Sequence, residues 1–414
     1  MRIERVQTLI VGGGQAGLVM SHMLSRRGCA HLVLERGGIA ERWRSERWRG
    51  LRFQFPNWSV HLPDFPFTHA DPDGFATSAE ILDFLAAYAA FVNPPIRCGV
   101  TVTALREDDR HAGFLAETSA GLFAASNVVI ATGPYQQPVI PALLPDTLGL
   151  FQVHASAYQA PEQLPDGAVL IVGSGASGAQ IAEELLRAGR RVYLSVGRHK
   201  RMPRRYRGRD LICWLSVMGL DQTPVDRRGP DATLPLITGA YGGHTIDFRD
   251  FAGQGIRLLG RLQAARDGIL HFAADLQTSL KRGDVTYNDF LDLVDNYIEQ
   301  QHLALAAEPE SRLVKADPPC LVDPERQLDY RAVGLSSVIW ATGYTFDFSW
   351  IDVPVVNARG EPRHDRGIAP VAGLYFLGLP WLSKMNSSFL AGVADDAARL
   401  ADHIRSRAPA SAVV

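Results

Sequence analysis

Short apolar runs set between glycine-rich turns punctuate the chain, and two of them head the same pattern. Thr8–Val11 is a short run bounded by glycine, as a buried parallel strand is. Leu18–Arg27 then carries helical spacing, and His31–Leu34 predicts a second strand that ends at Glu35. The pattern returns between Ala168 and Arg205. Between the two units, Thr77-x-x-Glu80 is a capping box, and Ile81, Leu82, Leu85 and Tyr88 continue it as a helix that Asn93–Pro95 stops. "VTVTALRED" and "GFLAETSAGLFAA" predict antiparallel strands leading into "NVVIATG", which ends at Gly133. "SVIWATGY", Ser337–Tyr344, is a similar strand. Tyr206–Pro319 has no counterpart in the repeat and includes an acidic helical stretch, "NDFLDLVDNYIEQ". Near the end, Gly373–Gly378 predicts a buried strand, Ser387–Ile404 a helix and Ala408–Val414 a frayed tail.

The two turns share one spacing, G-x-G-x-x-G: Gly12, Gly14 and Gly17, then Gly173, Gly175 and Gly178. The first glycine allows the tight turn, the second lets a pyrophosphate approach the backbone, and the third lets helix and strand pack closely. The N-terminus of the helix then faces the phosphates. Counted from the last glycine, Glu35 of the first unit corresponds to Val196 of the second. A carboxylate there accepts bonds from ribose hydroxyls and repels a 2′-phosphate. Its loss, with Arg198, Lys200 and Arg201 following, suits a 2′-phosphorylated ribose, hence NADPH. The other reading of those cations is a solvated loop. Two dinucleotide sites imply electron transfer between two dinucleotides, with FAD first and NADPH second.

The fold class is therefore α/β, with two dinucleotide-binding, Rossmann-like domains and the NADPH domain inserted into the FAD domain. The expected boundaries are 1–158 and 333–414 for the FAD domain and 159–332 for the NADPH domain, with an insertion at about 206–319. A length of 414 residues fits two domains, and 46% apolar with 21% charged residues fits a globular chain. A net charge of −2 supplies no field for nucleic acid or anionic lipid. No apolar run approaches the roughly 20 residues of a membrane span, and no secretion signal is evident. A cytoplasmic location without integral membrane association is the expectation. The four cysteines, Cys29, Cys98, Cys213 and Cys320, form no C-x-x-C, which argues against a disulfide scaffold, a dithiol redox centre or a metal site.

Taken together, the residues resemble the class B flavin-dependent monooxygenases, in their compact bacterial form. "GGGQAG" and "GSGASG" resemble the family's FAD and NADPH loops, and "ERWRSERW" its tryptophan–arginine segment beside the flavin. "IATG" and "WATGY" resemble its threonine–glycine turns, "SVGRHKRMPR" its 2′-phosphate segment, and "GLYFLGLPWL" with "SSFLAGV" its C-terminal flavin strand and helix. The family fingerprint F-x-G-x-x-x-H-x-x-x-aromatic is matched in its second half by His154 and Tyr158. Leu148 and Leu150 depart from it in the first half. Tyr158, in place of tryptophan, points toward the flavin-containing monooxygenase type over the Baeyer–Villiger type.

The resemblance implies a flavoprotein that forms a C4a-(hydro)peroxyflavin with FAD, NADPH and O2 and inserts one oxygen atom into a small organic substrate. It implies FAD contacts at Gly12, Gly14, Gln15, Ala16, Gly17, Glu35 and Arg36, and beyond them at Trp43, Arg44, Trp48, Val102, Thr132 and Gly133, with Gly378 and Ser388 near the C-terminus. It implies NADPH contacts at Gly173, Ser174, Gly175, Ser177 and Gly178, and at Arg198, Lys200, Arg204, Thr342 and Gly343. Trp43 and Trp48 either stack near the flavin or belong to the core. Asn57 is the candidate polar group at the flavin, with Gln54 the alternative on a different alignment. His154 is either functional or a structural residue of the linker. Trp58, Tyr206, Trp214, Tyr241 and Trp381 are candidates to line an apolar substrate pocket. Two competing functions remain: a flavin NAD(P)H oxidase or reductase without oxygen insertion, and a nucleotide-binding regulatory flavoprotein. Substrate identity, the kind of oxygenation and the oligomeric state are not legible.

Overall fold

The computed structural model describes residues 3–108, 112–230 and 233–407, so the tail expected at Ala408–Val414 lies outside the described residues. Two sheets organise the chain. The first has eight strands, with Ile3–Val11 near its centre. His31–Glu35 and Gly121–Ile130 flank that strand in parallel. Leu9 and Ile10 point to opposite faces and are both fully buried, so the sheet is covered on both sides here. This is the environment an unalternated apolar run requires. Ile96–Cys98 pairs outside His31–Glu35, and Phe114–Thr118, Val102–Glu107 and Ile351–Asp352 extend the other side. Gly121–Ile130 serves two partners on one edge: its start closes an antiparallel hairpin with Phe114–Thr118, and its end takes Leu374–Phe376 in parallel.

The helices Gln15–Ser25, Ser78–Val92 and Val393–Arg407 pack together beside this sheet. The capping box forms in both directions, with Glu80 N donating to Thr77 Oγ1 at 3.1 Å and Thr77 N to Glu80 Oε2 at 2.7 Å. The C-terminal helix starts at Val393, later than the sequence pattern indicates. Gly392 explains the delay: a side chain there would meet Asn386 O at 2.0 Å, so Ser387–Gly392 turns tightly instead of coiling.

The second sheet is five-stranded and parallel, in the order Phe151–His154, Leu335–Trp340, Ala168–Val172, Val192–Ser195, Arg257–Leu259. Buried apolar clusters lie on both of its faces. Three of these strands correct the expected boundaries. Phe151–His154 was expected inside 1–158 and Leu335–Trp340 inside 333–414, yet both pair in the second sheet. Their pairing, with Trp340 Nε1 donating to Gln152 Oε1 at 3.1 Å, satisfies the two crossover segments where the chain enters and leaves. Arg257–Leu259 lies within the expected insertion, 206–319, but supplies an edge strand of the nucleotide sheet. That stretch also holds the 25-residue helix Leu276–Gln300, whose C-terminal part packs with Tyr206, Leu211 and Trp214 in a separate core.

Candidate functional site

Both glycine turns have the same construction. Gly12 (φ +114°) and Gly173 (φ +106°) carry backbone angles that side chains resist, and each lies against the turn that ends a neighbouring strand. A Cβ at Gly12 would stand 2.6 Å from Ala131 O, and one at Gly173 would stand 2.4 Å from Ala341 O. At Gly17 and Gly178 a Cβ would stand 1.8 Å from Gly12 O and 1.9 Å from Gly173 O, so helix and strand touch through bare backbone. Gly14 and Gly175 differ: a Cβ there meets no protein atom within 4 Å, and both residues line a cavity. The space a side chain would fill lies at the N-terminus of each helix, Gln15–Ser25 and Ala176–Arg187. The unpaired N–H groups and positive dipole end there suit a pyrophosphate.

One cavity of about 750 Å³ runs between the two turns. Along its first-domain end lie Gly12, Gly14, Gln15, Ala16, Glu35 and Arg36. Glu35 is buried, and its carboxylate accepts from Gly13 N at 2.6 Å and Gly37 N at 2.8 Å. Both oxygens are thereby fixed in place, with acceptor capacity left for ribose hydroxyls. Gln15 Nε2 donates to Ser388 O at 2.7 Å, tying the first turn to the C-terminal segment. A Cβ on Gly378 would lie 2.7 Å from Ala16 Cβ, which shows how closely that segment approaches. Trp43, Trp48, Val102, Thr132, Gly133 and Ser388 also line the cavity. Trp48 does so from the buried core of the second domain.

On the second-domain side, Gly175, Ser177, Arg198 and Gly343 line the cavity. Gly12 N donates to Leu34 O and Gly173 N to Ser195 O, so Val196 stands where Glu35 stands in the first unit. Val196 is fully buried. Arg198 is exposed and forms no ion pair or hydrogen bond among the described residues. Ser174 lies outside the wall; its Oγ accepts from Gly197 N at 3.0 Å and fixes the approach to Arg198.

Several sequence-based assignments are corrected. Asn57 does not line the cavity: it is 1% exposed and its amide nitrogen donates to Asp71 O at 2.9 Å. Gln54, the alternative, does line it. Arg204 is buried and forked onto Asp210, with Nη1 donating to Gln54 O at 2.8 Å, so it holds the wall from behind instead of facing a phosphate. Lys200 is committed to the short strand Lys200–Arg201, paired with Pro235–Leu236, and does not line the cavity. Arg44 turns out toward Glu41, and the Thr342 hydroxyl donates to Val139 O. Gly17, Gly173 and Gly178 act through packing, outside the wall. None of the proposed pocket aromatics lines the cavity: Tyr206 and Trp214 are core, and Trp58 and Tyr241 are exposed.

The residues missed are informative. Phe53, Phe55 and Phe389 form a chain of rings with centroids 5.3 and 5.1 Å apart, and Trp43 meets Phe53 edge-on at 5.8 Å. With Ile212, Leu215, Leu236 and Met385 they make one end of the cavity largely apolar. Gln136 Nε2 donates to Thr132 Oγ1 at 3.0 Å and to Gly133 O at 2.8 Å, bracing the turn beside Gly12. The signal for the aromatic wall lay in "LRFQFPNW", whose phenylalanines flank Gln54.

His154 lines the cavity at the crossing between the domains. Its Nδ1 accepts from Ser156 N at 3.1 Å, which leaves Nε2 to donate to Gly343 O at 3.1 Å. Burial holds its pKa below the usual histidine range, so the ring is neutral and both nitrogens are occupied. It therefore clamps the turn at Gly343 and stacks edge-on to Tyr344 at 5.0 Å. Tyr158 lies in the core, its hydroxyl donating to Glu184 Oε2 at 2.8 Å. No described helix is long and apolar enough to cross a membrane.

Residues 9–216 match the pyridine nucleotide-disulphide oxidoreductase family. The chain is 31% identical over 403 residues to an uncharacterised CzcO-like oxidoreductase of Geobacillus kaustophilus, covering 96% of this chain and 98% of the relative. It is 30% identical over 182 residues to a probable indole-3-pyruvate monooxygenase, YUCCA4, of Arabidopsis thaliana, covering 43% and 44% of the two chains. Among solved structures, the fold is like that of a flavin-containing monooxygenase from Stenotrophomonas maltophilia, with TM-score 0.67, 18% identity and coverage of 98% and 99%.

Proposed function

Since the chain belongs to the pyridine nucleotide-disulphide oxidoreductase family, in its class B flavin monooxygenase-like part, we propose that it is an FAD- and NADPH-dependent monooxygenase that transfers one oxygen atom of O2 to a small organic substrate. The observation that carries this reading is a single cavity lined by both glycine turns, with a fixed carboxylate at one and, at the other, an arginine without a partner among the described residues. FAD takes the turn with Glu35, and NADPH takes the turn with Val196 and Arg198. Bound flavin supplies the redox chemistry, accepting a hydride from NADPH and activating O2.

The chain's own residues bind, orient and exclude water. The helix at Gly14 and the helix at Gly175 present N–H groups to the two pyrophosphates. Glu35 holds a ribose, and Arg198 offers a guanidinium fork to the 2′-phosphate. The neutral His154 fixes the turn at Gly343, beside which the coenzyme passes. The apolar end around Phe53, Phe55 and Phe389 keeps water from the reacting centre, and Gln54 places one amide there. A dithiol reductase reading requires cysteines on this wall, and none of the four lies on it.

Purified holoprotein mixed with NADPH without oxygen, then with O2 and a panel of amines, thioethers, ketones, indoles and phenols, tests the reading. Rapid flavin reduction followed by oxygenated product in step with NADPH consumption is expected. Reduction followed only by hydrogen peroxide, across the whole panel, identifies an oxidase. Binding of both nucleotides without reduction identifies a regulatory protein. Arg198→Ala is expected to weaken NADPH about tenfold or more, the loss of one charged contact, while sparing NADH. Equal losses would remove the 2′-phosphate assignment.

A further inference from the structure

We propose that the long helix Leu276–Gln300 sets selectivity for the 2′-phosphate by holding Arg198 in place, with Gly283 and Asp284 as the positioning residues. The inference rests on Arg198 as the phosphate ligand.

The residues that follow Arg198 have little freedom. His199 is buried, its Nδ1 donates to Gly197 O at 3.1 Å, and its ring meets Phe248 edge-on at 4.8 Å. The opposite edge of the ring lies against the helix at Gly283. A Cβ there would stand 2.6 Å from His199 Nε2 and 3.2 Å from Cδ2. Glycine is disfavoured against alanine inside a helix. At this position the missing side chain leaves the notch that His199 occupies.

Two residues further on, Arg201 is bound to the same helix. It pairs with Asp284 at 2.9 Å and Asp247 at 2.8 Å, and its guanidinium lies over the Tyr287 ring at 4.2 Å. Asp284 is itself held by both Nη atoms of Arg249, at 3.0 and 2.9 Å, and Arg249 reaches Asp317 at 2.8 Å. The Thr286 hydroxyl donates to Gly283 O at 2.9 Å, with its oxygen 3.4 Å from Arg201 O. Arg204 is spent on Asp210. Of the guanidinium groups in this stretch, Arg198 alone faces the cavity without a partner among the described residues. A helix outside the repeated nucleotide pattern thus fixes the segment on the far side of Arg198, while Ser174 fixes the near side through Gly197.

The test uses flavin-loaded protein and calorimetric binding of NADP+, NAD+ and adenosine 2′,5′-bisphosphate, with FAD occupancy and melting temperature as folding controls. Gly283→Ala cannot be absorbed by turning the wedged ring, so it moves the backbone at Arg198. The expected loss is about tenfold for NADP+ and the bisphosphate and under about twofold for NAD+, since displacement of order 1 Å is costly for a directional contact. In a His199→Ala background, which removes the colliding ring, the effect of Gly283→Ala should fall below about twofold. Asp284→Asn, which changes no volume, gives the same NADP+ against NAD+ comparison if Gly283→Ala fails to hold FAD. Equal weakening of the two coenzymes, or a Gly283→Ala effect that survives removal of the ring, would overturn the proposal. If Arg198→Ala itself fails to separate NADP+ from NAD+, the phosphate assignment falls. If Arg198→Ala separates them and neither helix variant does, only the role of the helix falls.

Discussion

Alanine at Gly17 and at Gly178 makes a matched pair of perturbations, because each adds one methyl at the same point of a repeated unit. The added carbon would stand 1.8 Å from Gly12 O in the first case and 1.9 Å from Gly173 O in the second. Ordinary contact begins near 3.4 Å, so each helix has to retreat by about 1.5 Å from the turn that it caps. Overpacking of this kind costs about 1–3 kcal/mol. Displacing the donors at a helix N-terminus by more than 1 Å weakens binding by about 10²-fold if the directional contacts follow catalytic precedent. The assay is flavin released per chain, with NADPH affinity measured on the flavin-loaded fraction. Gly17→Ala is expected to purify with little FAD. Gly178→Ala should retain FAD, keep its melting temperature within several degrees and bind NADPH far more weakly. Loss of FAD in both variants, or in neither, would refute the one-turn, one-nucleotide assignment.

Two further predictions follow from residues that the structure re-sorted. Gln54→Ala should change the yield of product per NADPH consumed while leaving stability almost untouched. Asn57→Ala removes one hydrogen bond, to an Asp71 carbonyl that Gly74 N still donates to, so it should cost about 1 kcal/mol and leave turnover per flavin unchanged; the reverse pattern returns the flavin-side role to Asn57. Burial pushes the Glu184 carboxyl above the usual glutamate range. Stability tied to its protonated form is complete below about pH 4.3 and is lost as pH rises through the raised value. Glu184→Gln keeps an acceptor for Tyr158 and cannot ionise, so it should melt higher than the natural protein at pH 8 and alike at pH 4; equal melting at both would show that Glu184 is not strained when charged.

The repeated units were legible because strand, turn and helix each carry a local signature, and the glycines have no alternative at contacts under 2 Å. The equivalence of Glu35 and Val196 was countable from the last glycine, since the spacing from Gly17 to Glu35 equals that from Gly178 to Val196. Sheet membership of Phe151–His154, Leu335–Trp340 and Arg257–Leu259 was not legible: a short parallel strand declares its burial but not its neighbour. Basic residues were the least readable class. Arg198, Arg201 and Arg204 look alike along the chain, yet one faces the cavity without a partner among the described residues and two are bound to carboxylates from 6 to 83 residues away. The Asp284 that claims Arg201 lies on a helix with no sequence link to the nucleotide turn.

The strand Leu374–Phe376 has a consequence in time. It pairs with Val128–Ile130, and the segment after it meets Ala16 and Gln15, so the flavin-side wall joins a stretch synthesised early to one synthesised much later. At roughly 5–20 residues per second, a translating ribosome needs on the order of 10–50 s to travel from Ile130 to Phe376. For that interval the Val128–Ile130 part of the edge stands open while the nucleotide domain, whose sheet closes at Trp340, can form. The nascent chain should therefore acquire coenzyme affinity before flavin affinity, and a chain stalled ahead of Leu374 should hold NADPH in a pocket that cannot keep FAD.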